Sequence, residues 1–191
     1  MSEWEEARRK EYHKVKEIEK TIKSYNYSDK AHAHSTNDKI LEFLLNRLRE
    51  SKKTVFDIID IAYSQQKDFV VRVMEKIRDD MDILIDKIKT THFDWLGLPE
   101  NLISRIIEHD LDMIKLATRI DNDTEWIREK VLETKRESSR LFDREEQKAL
   151  QNRIHILSDE VNELSDIFIE RAEIFNLDVE NLVGDIALRE L

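Results

Sequence analysis

The sequence predicts an all-α protein, an antiparallel helical bundle of long amphipathic helices. Only two glycines and one proline occur in its 191 residues, well below the usual shares of roughly 7% and 5%, so few residues interrupt helices or form tight turns. Charged residues make up 39% of the chain and apolar residues 40%, a mixture typical of helices with one buried and one exposed face. Apolar residues also recur at helical spacing along most of the chain.

Three helices are expected before residue 97. A capping box opens the first, over residues 2–23, and Ser28 or Asp29 caps the second, which ends near Glu50. Another capping box opens the third, over residues 54–89. Each of the three carries apolar residues three and four positions apart and therefore has one face to bury.

Three more helices, and a short one after them, are expected beyond Gly97. This glycine suits a left-handed turn, and the proline two residues later suits the first turn of a helix over residues 99–120. The next helix, around Trp126, is either separate from that one or continuous with it. A capping box then opens a helix over residues 143–175, and a short tail helix lies within residues 178–191.

These elements predict one all-α domain over residues 1–191. Its finer division is into two three-helix sub-units, residues 1–96 and 97–177, with the tail helix 178–191 as a lid or a dimer contact. A chain of this length buries enough apolar surface to fold without disulfides or metals. Oligomerisation is therefore optional.

Composition also restricts the location and the partners of the protein. The absence of cysteine excludes disulfides and thiolate metal sites. The charged N-terminus lacks the apolar core of a secretory signal, and no apolar run approaches the roughly 20 residues that span a bilayer. A net charge of −10 opposes binding to nucleic acid. We therefore expect a cytoplasmic protein that neither inserts into a membrane nor binds nucleic acid.

The most regular apolar stripe lies within residues 141–175. Its members alternate steps of four and three residues, the spacing that keeps one helix face against a partner helix. The stripe extends over about three heptads, which favours packing inside a bundle, and a second copy of the chain is the alternative partner. The positions are Leu150, Ile154, Leu157, Val161, Leu164 and Phe168.

Carboxylates four residues apart lie on one helix face and commonly hold a metal ion in a helical bundle. Two such pairs, Glu108 with Asp112 and Asp159 with Glu163, are the candidate ligands for a divalent or iron ion. Because 42 residues are acidic, chance alone gives on the order of nine such pairs, so a solvated acidic face is the alternative. Two further pairs of this kind are Asp82 with Asp86 and Asp121 with Glu125.

Two acids, Asp110 and Asp121, are in phase with the apolar stripe of the fourth helix. A carboxylate buried there requires a partner, because its desolvation is costly. No histidine lies three residues after a glutamate, so the Glu-x-x-His pattern of di-iron bundles is missing and a ferritin-like oxidase is disfavoured.

His32 and His34, between Asp29 and Asp38, are the closest pair of histidines in the chain. They share a metal ion only if this segment is extended, because residues two apart point to different faces of a helix. A polar helix start is the alternative.

An acid-rich turn, an aspartate-arginine-glutamate helix start at residues 143–145 and a later aspartate, Asp159, occur within residues 126–166. This segment resembles the PhoU-like family of phosphate-transport accessory proteins. The resemblance implies two three-helix units and regulation of a membrane transporter. It also implies metal clusters bound by acids four residues apart. Glu108 with Asp112 has that form, and the other candidate pair approximates it.

A second, partial resemblance concerns Glu160, Glu163 and Asp166. Their spacing partly resembles the acid motifs of the all-α nucleotide pyrophosphatases. That resemblance implies a metal-dependent hydrolase.

From these observations we expect a non-enzymatic helical-bundle protein that binds a protein partner or forms a homodimer. More specifically, we expect a PhoU-like regulator of a membrane transporter. Exposed aromatic residues in the breaks between helices are the expected contacts. The alternative is a carboxylate metal-binding bundle or metal-dependent hydrolase that uses the two candidate acid pairs. The aromatic residues are Tyr25, Tyr27, Phe93 and Trp95.

Overall fold

The computed structural model describes residues 3–27, 30–91, 93, 100–136 and 144–176. Within these residues the chain forms five α-helices and no strand, which confirms the all-α bundle. None of the described helices has both the length and the apolarity needed to cross a membrane. The expected tail helix lies outside the described residues. The helices are α1 (Glu3–Glu19), α2 (Lys30–Ser64), α3 (Asp68–Thr90), α4 (Glu100–Arg136) and α5 (Arg144–Asn176).

Helix α2 runs through the expected break between residues 50 and 54, so the prediction of two separate helices there is wrong. The capping-box pattern of Thr54 and Asp57 lies inside the helix. Thr54 Oγ1 donates to the backbone carbonyl of Glu50 (3.4 Å) and to Glu125 Oε1 (3.0 Å). Because Ser51 is fully buried, the inner face of α2 continues across this point.

The turn that separates α2 from α3 lies at Gln66, whose φ of 57° is in the left-handed region. The Gln66 N–H donates to the Tyr63 carbonyl (3.0 Å), and the Lys67 N–H donates to the Ala62 carbonyl (3.0 Å). This is the Schellman arrangement that ends many helices. Sequence analysis missed it because glycine, the usual residue at this position, does not occur there.

Helices α4 and α5 agree more closely with the sequence predictions. Helix α4 is continuous from Glu100 to Arg136, which settles the open question about the fourth and fifth helices. Helix α5 spans Arg144–Asn176, one residue later at each end than expected. The six stripe residues from Leu150 to Phe168 are at most 5% exposed, which confirms that the stripe is packing.

The described helices divide into two compact units that gather segments distant in sequence. The expected sub-units, by contrast, are consecutive, and the division into residues 1–96 and 97–177 within one domain stays a prediction. Unit 1 comprises Met1–Leu41, Thr91–Met113 and Asp166–Leu191, and unit 2 comprises Glu42–Thr90 and Ile114–Ser165.

Unit 2 contains two antiparallel helix pairs. A three-residue turn joins α2 to α3. In α4 and α5, Arg119 pairs with Glu160. One turn later in α4, Asp123 pairs with the earlier residue Arg153, so these helices also run in opposite directions. Buried side chains of this unit include Leu44, Leu48, Val55, Ile58, Met74, Ile77, Met81, Leu84, Ile120, Ile127, Ile154 and Leu157.

Unit 1 places α1 beside the first part of α4. Lys14 Nζ lies 2.7 Å from Glu108 Oε1, and Ser104 Oγ donates to Glu11 Oε1 at 3.1 Å. Ile18 is fully buried and Ile22 almost so, so the end of α1 and the residues after it contribute to the core. Other buried apolar residues of this unit include Ala33, Ile40, Leu102, Ile106, Ile107, Phe168, Ala172 and Phe175.

Candidate functional site

Unit 1 contains a fully buried arginine. Arg171 of α5 and Asp110 of α4 are both 0% exposed, and Arg171 Nε donates to Asp110 Oδ1 at 2.5 Å. Burial of an isolated charge is costly, so an arginine in this position requires a carboxylate and further acceptors. We call Arg171, Asp110, Tyr25, Tyr27 and Asn37 the arginine centre.

Hydrogen bonds of the arginine centre join four parts of unit 1. Arg171 Nη1 donates to Asn37 Oδ1 of α2 (2.8 Å), and Arg171 Nη2 donates to Tyr27 Oη (3.0 Å). Tyr25 and Tyr27 each donate from Oη to Asp110 Oδ2, at 2.8 and 2.9 Å. Asp110 therefore accepts three hydrogen bonds, and the guanidinium donates to three acceptors.

A turn after α1 delivers the two tyrosines to this centre. Ser24 has a left-handed φ of 62°. The backbone of Asn26 is then fixed by Thr36 of α2, whose Oγ1 accepts from the Asn26 N–H (3.1 Å) and donates to its carbonyl (2.8 Å). The prediction that Tyr25 and Tyr27 are exposed contacts is wrong, since they are 5% and 8% exposed. Their hydroxyl groups instead form hydrogen bonds with the buried ion pair of Arg171 and Asp110.

Two phenylalanines cover the guanidinium of Arg171. Its Cζ lies 4.7 Å from the ring centre of Phe175 and 5.5 Å from that of Phe93, within the range of cation–π attraction. The two rings contact each other edge to face at 5.2 Å. Phe93 is half-buried and belongs to this centre, and Trp95 lies outside the described residues.

Electrostatics hold Arg171 as a cation and the two tyrosines of the centre as neutral phenols. Burial lowers the pKa of Arg171, but the negative charge of Asp110 and the hydrogen bond to it outweigh burial, so this pKa is raised overall. Burial and, after it, the charge of Asp110 raise the pKa of Tyr25 and of Tyr27, which therefore remain neutral phenols. The centre is built to orient chain segments rather than to exchange protons.

Unit 2 contains a second group of charges, which we call the acid–arginine cluster: Arg119 and Asp123 of α4, and Arg153 and Glu160 of α5. Asp123 and Glu160 are only 4% and 7% exposed. Arg153 Nη2 lies 2.7 Å from Asp123 Oδ1, and Arg119 Nε lies 3.4 Å from Glu160 Oε1. Among the described residues, Glu160 Oε2 and Arg153 Nε are buried without a hydrogen-bond partner. The hydrogen bonding of this cluster is thus less complete than that of the arginine centre.

The candidate metal ligands fall into two separate pairs. Glu108 and Asp112 belong to unit 1, and Asp159 and Glu163 belong to unit 2. Glu108 is engaged by Lys14, whose hydrogen bond lowers the pKa of that carboxyl group. Asp112 is half-buried, and Asp159 and Glu163 are exposed. Over the described part of the chain, no group of three or more acidic or histidine residues is arranged to hold a metal ion, and the metal assignment stays a prediction.

Two other acids singled out from the sequence form ion pairs with basic side chains on neighbouring helices. Asp121 of α4 accepts from Arg47 of α2 at 2.6 Å. Asp82 of α3 pairs with Lys52 of α2. His34, a candidate metal-binding histidine of the sequence analysis, is exposed on α2 in unit 1.

An exposed stripe runs along the part of α2 that belongs to unit 2. The stripe consists of five residues at alternating steps of four and three positions, a spacing that places them on one helix face. Tyr63 is 77% exposed and Phe56 is 44% exposed. The cationic groups of Lys52 and Arg78 each lie 5.6 Å from the ring centre of Phe56. This α2 outer stripe comprises Arg49, Lys53, Phe56, Asp60 and Tyr63.

Sequence analysis identified Asp110 as an acid in phase with an apolar stripe but missed its partner, Arg171. A signal was present. The alternation of four and three residues that begins at Leu150 continues from Phe168 to Arg171 and then to Phe175. An arginine in phase with a buried stripe indicates a buried ion pair, and the acid in phase on the preceding helix is its expected partner.

The fold and these side chains define an all-α bundle that has charged groups in its interior. No protein-family model matches the chain, and no curated protein or solved structure matches it.

Proposed function

We propose that this chain is a non-enzymatic helical-bundle protein that acts by binding a protein partner through the α2 outer stripe. The observation that supports this proposal is the exposure of two large aromatic side chains, Phe56 and Tyr63, on one helix face. Tyrosine, phenylalanine and arginine are enriched at the centres of protein interfaces.

The size and the surroundings of the stripe also suit an interface. Phe56 and Tyr63 are two turns apart, about 10 Å along the helix axis, so one partner element can cover both. Lys52 and Arg78 flank the Phe56 ring, and Lys53 and Asp60 are exposed on the same face of α2. Aromatic anchors surrounded by mixed charges have the form of an interface centre with a polar rim.

The resemblance of residues 126–166 to the PhoU-like family supplies the identity we propose for the partner. The family implies regulation of a membrane transporter, so the partner we propose is a component of such a transporter. The partner would contact the protein from the outside, through side chains that are exposed in the free chain.

Site-specific photo-crosslinking tests this proposal directly. A benzophenone amino acid placed at position 63 in the native host should give a covalent adduct with one protein partner. The matched control is the same amino acid at Tyr12, which is 59% exposed but lies on α1 in unit 1. The proposal is wrong if position 63 gives no adduct, or gives only those that position 12 gives.

The same crosslinker on the purified protein separates the two kinds of partner. An adduct of twice the mass of the chain would make the partner a second copy. An adduct that requires cell extract would make it a different protein. In both cases, the double substitution Phe56→Ser and Tyr63→Ser should abolish binding without loss of helical circular dichroism, because both side chains are exposed.

A further inference from the structure

Unit 2 contains a cavity of about 300 Å³ between the start of α3 and the first turns of α5. Three apolar side chains line it, and two of them, Val70 of α3 and Leu150 of α5, are each 5% exposed. The third is Phe69, whose ring centre lies 6.1 Å from that of His155 on α5, in an edge-to-face contact. Small-molecule sites have volumes of roughly 300–1,000 Å³ and largely apolar walls. The cavity is therefore large enough for a small organic ligand.

The cavity lies where the apolar stripe of α5 becomes polar. The stripe alternates steps of four and three residues and begins at Leu150, so its next position toward the start of α5 is Gln147. Gln147 and Gln151, one turn apart, both line the cavity. An amide is costly to bury without hydrogen bonds, and the side chains of residues 145–149 are all exposed. Apolar packing of α5 against α3 therefore ends at Leu150 and leaves the cavity open to a ligand.

Lys67 supplies a positive charge to the lining of the cavity. Its backbone is fixed on both sides, because its N–H donates to the Ala62 carbonyl (3.0 Å) and its own carbonyl accepts from the Val71 N–H (3.1 Å). Lys67 is half-buried, and burial lowers its pKa, because the cation loses part of its contact with water. A negative group inside the cavity would offset this cost.

Asp68 adds a negative charge to the same lining. It lies in the first turn of α3, where a carboxylate interacts favourably with the positive end of the helix dipole. Asp68 is exposed, and water screens exposed charges strongly. The half-buried Lys67 therefore has the stronger influence on a charged group inside the cavity.

We propose that this cavity binds a small amphiphile that has an apolar chain and one carboxylate head group. The chain lies against the apolar wall of Phe69, Val70 and Leu150, and the carboxylate lies beside the ammonium group of Lys67. The side-chain amides of the two lining glutamines supply further hydrogen-bond donors from α5. The single charge of Lys67 matches a carboxylate better than the roughly two charges of a phosphate monoester.

NMR titration of the ¹⁵N-labelled full chain with octanoate, octylamine and octan-1-ol tests the proposal. The three probes share one alkyl chain, carry a negative, a positive and a neutral head group, and are used below their micelle concentrations. Octanoate should shift the amide signals of Phe69, Val70 and Leu150 in a saturable manner. It should bind about fivefold more tightly than octan-1-ol, and octylamine should bind more weakly than either. The absence of saturable shifts overturns the proposal, and so does octylamine binding as tight as that of octanoate.

Two lysine variants test the role of the charge. Lys67→Met removes the charge but keeps much of the chain length, so octanoate binding should weaken about fivefold while octan-1-ol binding stays unchanged. Lys148→Met is the matched control, because Lys148 is exposed on α5 next to Gln147 but does not line the cavity, and it should leave both affinities unchanged. Equal losses of octanoate and octan-1-ol binding in Lys67→Met would contradict the pairing of this lysine with the head group.

Gln147→Phe tests the location from an exposed position. The ring continues the apolar stripe of α5 into the cavity, so the variant should lose binding of both octanoate and octan-1-ol without loss of helical circular dichroism. A folded variant that binds octanoate with the wild-type affinity would show that the ligand does not occupy this cavity.

Discussion

The arginine centre of unit 1 and the acid–arginine cluster of unit 2 bury charges contributed by the same two helices, α4 and α5, but complete their hydrogen bonds differently. In the centre, Asp110 accepts three hydrogen bonds and Arg171 donates to three acceptors. In the cluster, Glu160 Oε2 and Arg153 Nε have no hydrogen-bond partner among the described residues. The difference shows that a nearby opposite charge is not enough for a buried ion. Each remaining polar atom of a buried ion also needs a hydrogen bond, because an unpaired atom keeps the cost of its desolvation.

The largest expected effect follows removal of the positive charge from the arginine centre. Arg171→Met leaves Asp110 buried without a cation, which should lower the free energy of unfolding by about 3–5 kcal/mol in urea titrations. Addition of Asp110→Asn to this variant should recover a large part of the loss, because no uncompensated charge remains. A single variant that loses less than about 1 kcal/mol would show that the ion pair is not buried as described.

Removal of one hydroxyl group from the centre should have a smaller effect. Tyr27→Phe removes a donor to Asp110 and an acceptor for Arg171 and should cost about 1–3 kcal/mol. Tyr25→Phe removes only a donor to Asp110 and should cost about 1 kcal/mol. Thermal unfolding of the two variants measures which substitution lowers stability more. A larger loss for Tyr25→Phe would contradict the network.

Within the cluster, the two arginines should differ. Arg153→Gln removes the 2.7 Å contact with Asp123 and should cost about 1 kcal/mol, because the side chain is partly exposed. Arg119→Gln should cost less, since its longer contact is exposed to water. Burial raises the pKa of both acids of the cluster, so the folded state should gain stability as the pH falls through the raised values. Loss of Arg153 should strengthen this gain, because this arginine lowers the pKa of both acids. Unfolding curves at several pH values measure both effects.

Among the described residues, each unit contains one non-glycine residue with a positive φ, which is Ser24 in unit 1 and Gln66 in unit 2. Glycine adopts this conformation without the Cβ clash, so Ser24→Gly and Gln66→Gly should each raise stability by up to about 1 kcal/mol. Ser64→Gly is the control at the helical end of α2 and should lower stability. A loss of stability in both of the first two variants would contradict the described turns.

The smallest expected effect concerns the candidate metal ligands. Glu108→Ala with Asp112→Ala removes an exposed contact with Lys14 and should cost less than about 1 kcal/mol. If the chain acts by binding a protein partner, elemental analysis of protein purified without chelator should show the same metal content in this variant and in the wild type. A tightly bound transition metal that is lost in the variant would support the metal-binding alternative.

Much of the fold was predictable because it depends on local spacing. The scarcity of glycine and proline predicted helices, and steps of four and three residues identified the buried face of α5 from Leu150 to Phe168. The capping pattern at Thr54 was misleading, because its side chain contacts Glu125 while α2 continues. The turn at Gln66 was missed because its conformation is unusual for a residue other than glycine.

Only one partner of the buried ion pair in the arginine centre could be predicted from the sequence. Asp110 was recognisable from its phase on α4, but its partner lies 61 residues away in sequence, and spacing within one helix does not identify a contact between helices. Tyr25 and Tyr27 were misplaced for the same reason. A tyrosine in a break between helices looks exposed until the buried carboxylate that its hydroxyl group contacts is known.

The comparison of the two charged sites is tested most directly by equilibrium unfolding at neutral pH of the wild type, Arg171→Met and Glu160→Gln, measured side by side. Each variant replaces one ionisable side chain of one site with a neutral side chain. Arg171→Met should unfold more easily than the wild type and Glu160→Gln less easily, because burial disfavours the ionised form of Glu160 and raises the pKa of this acid. A loss of stability in both variants would show that the cluster is a satisfied ion network like the arginine centre, and would contradict the difference between them.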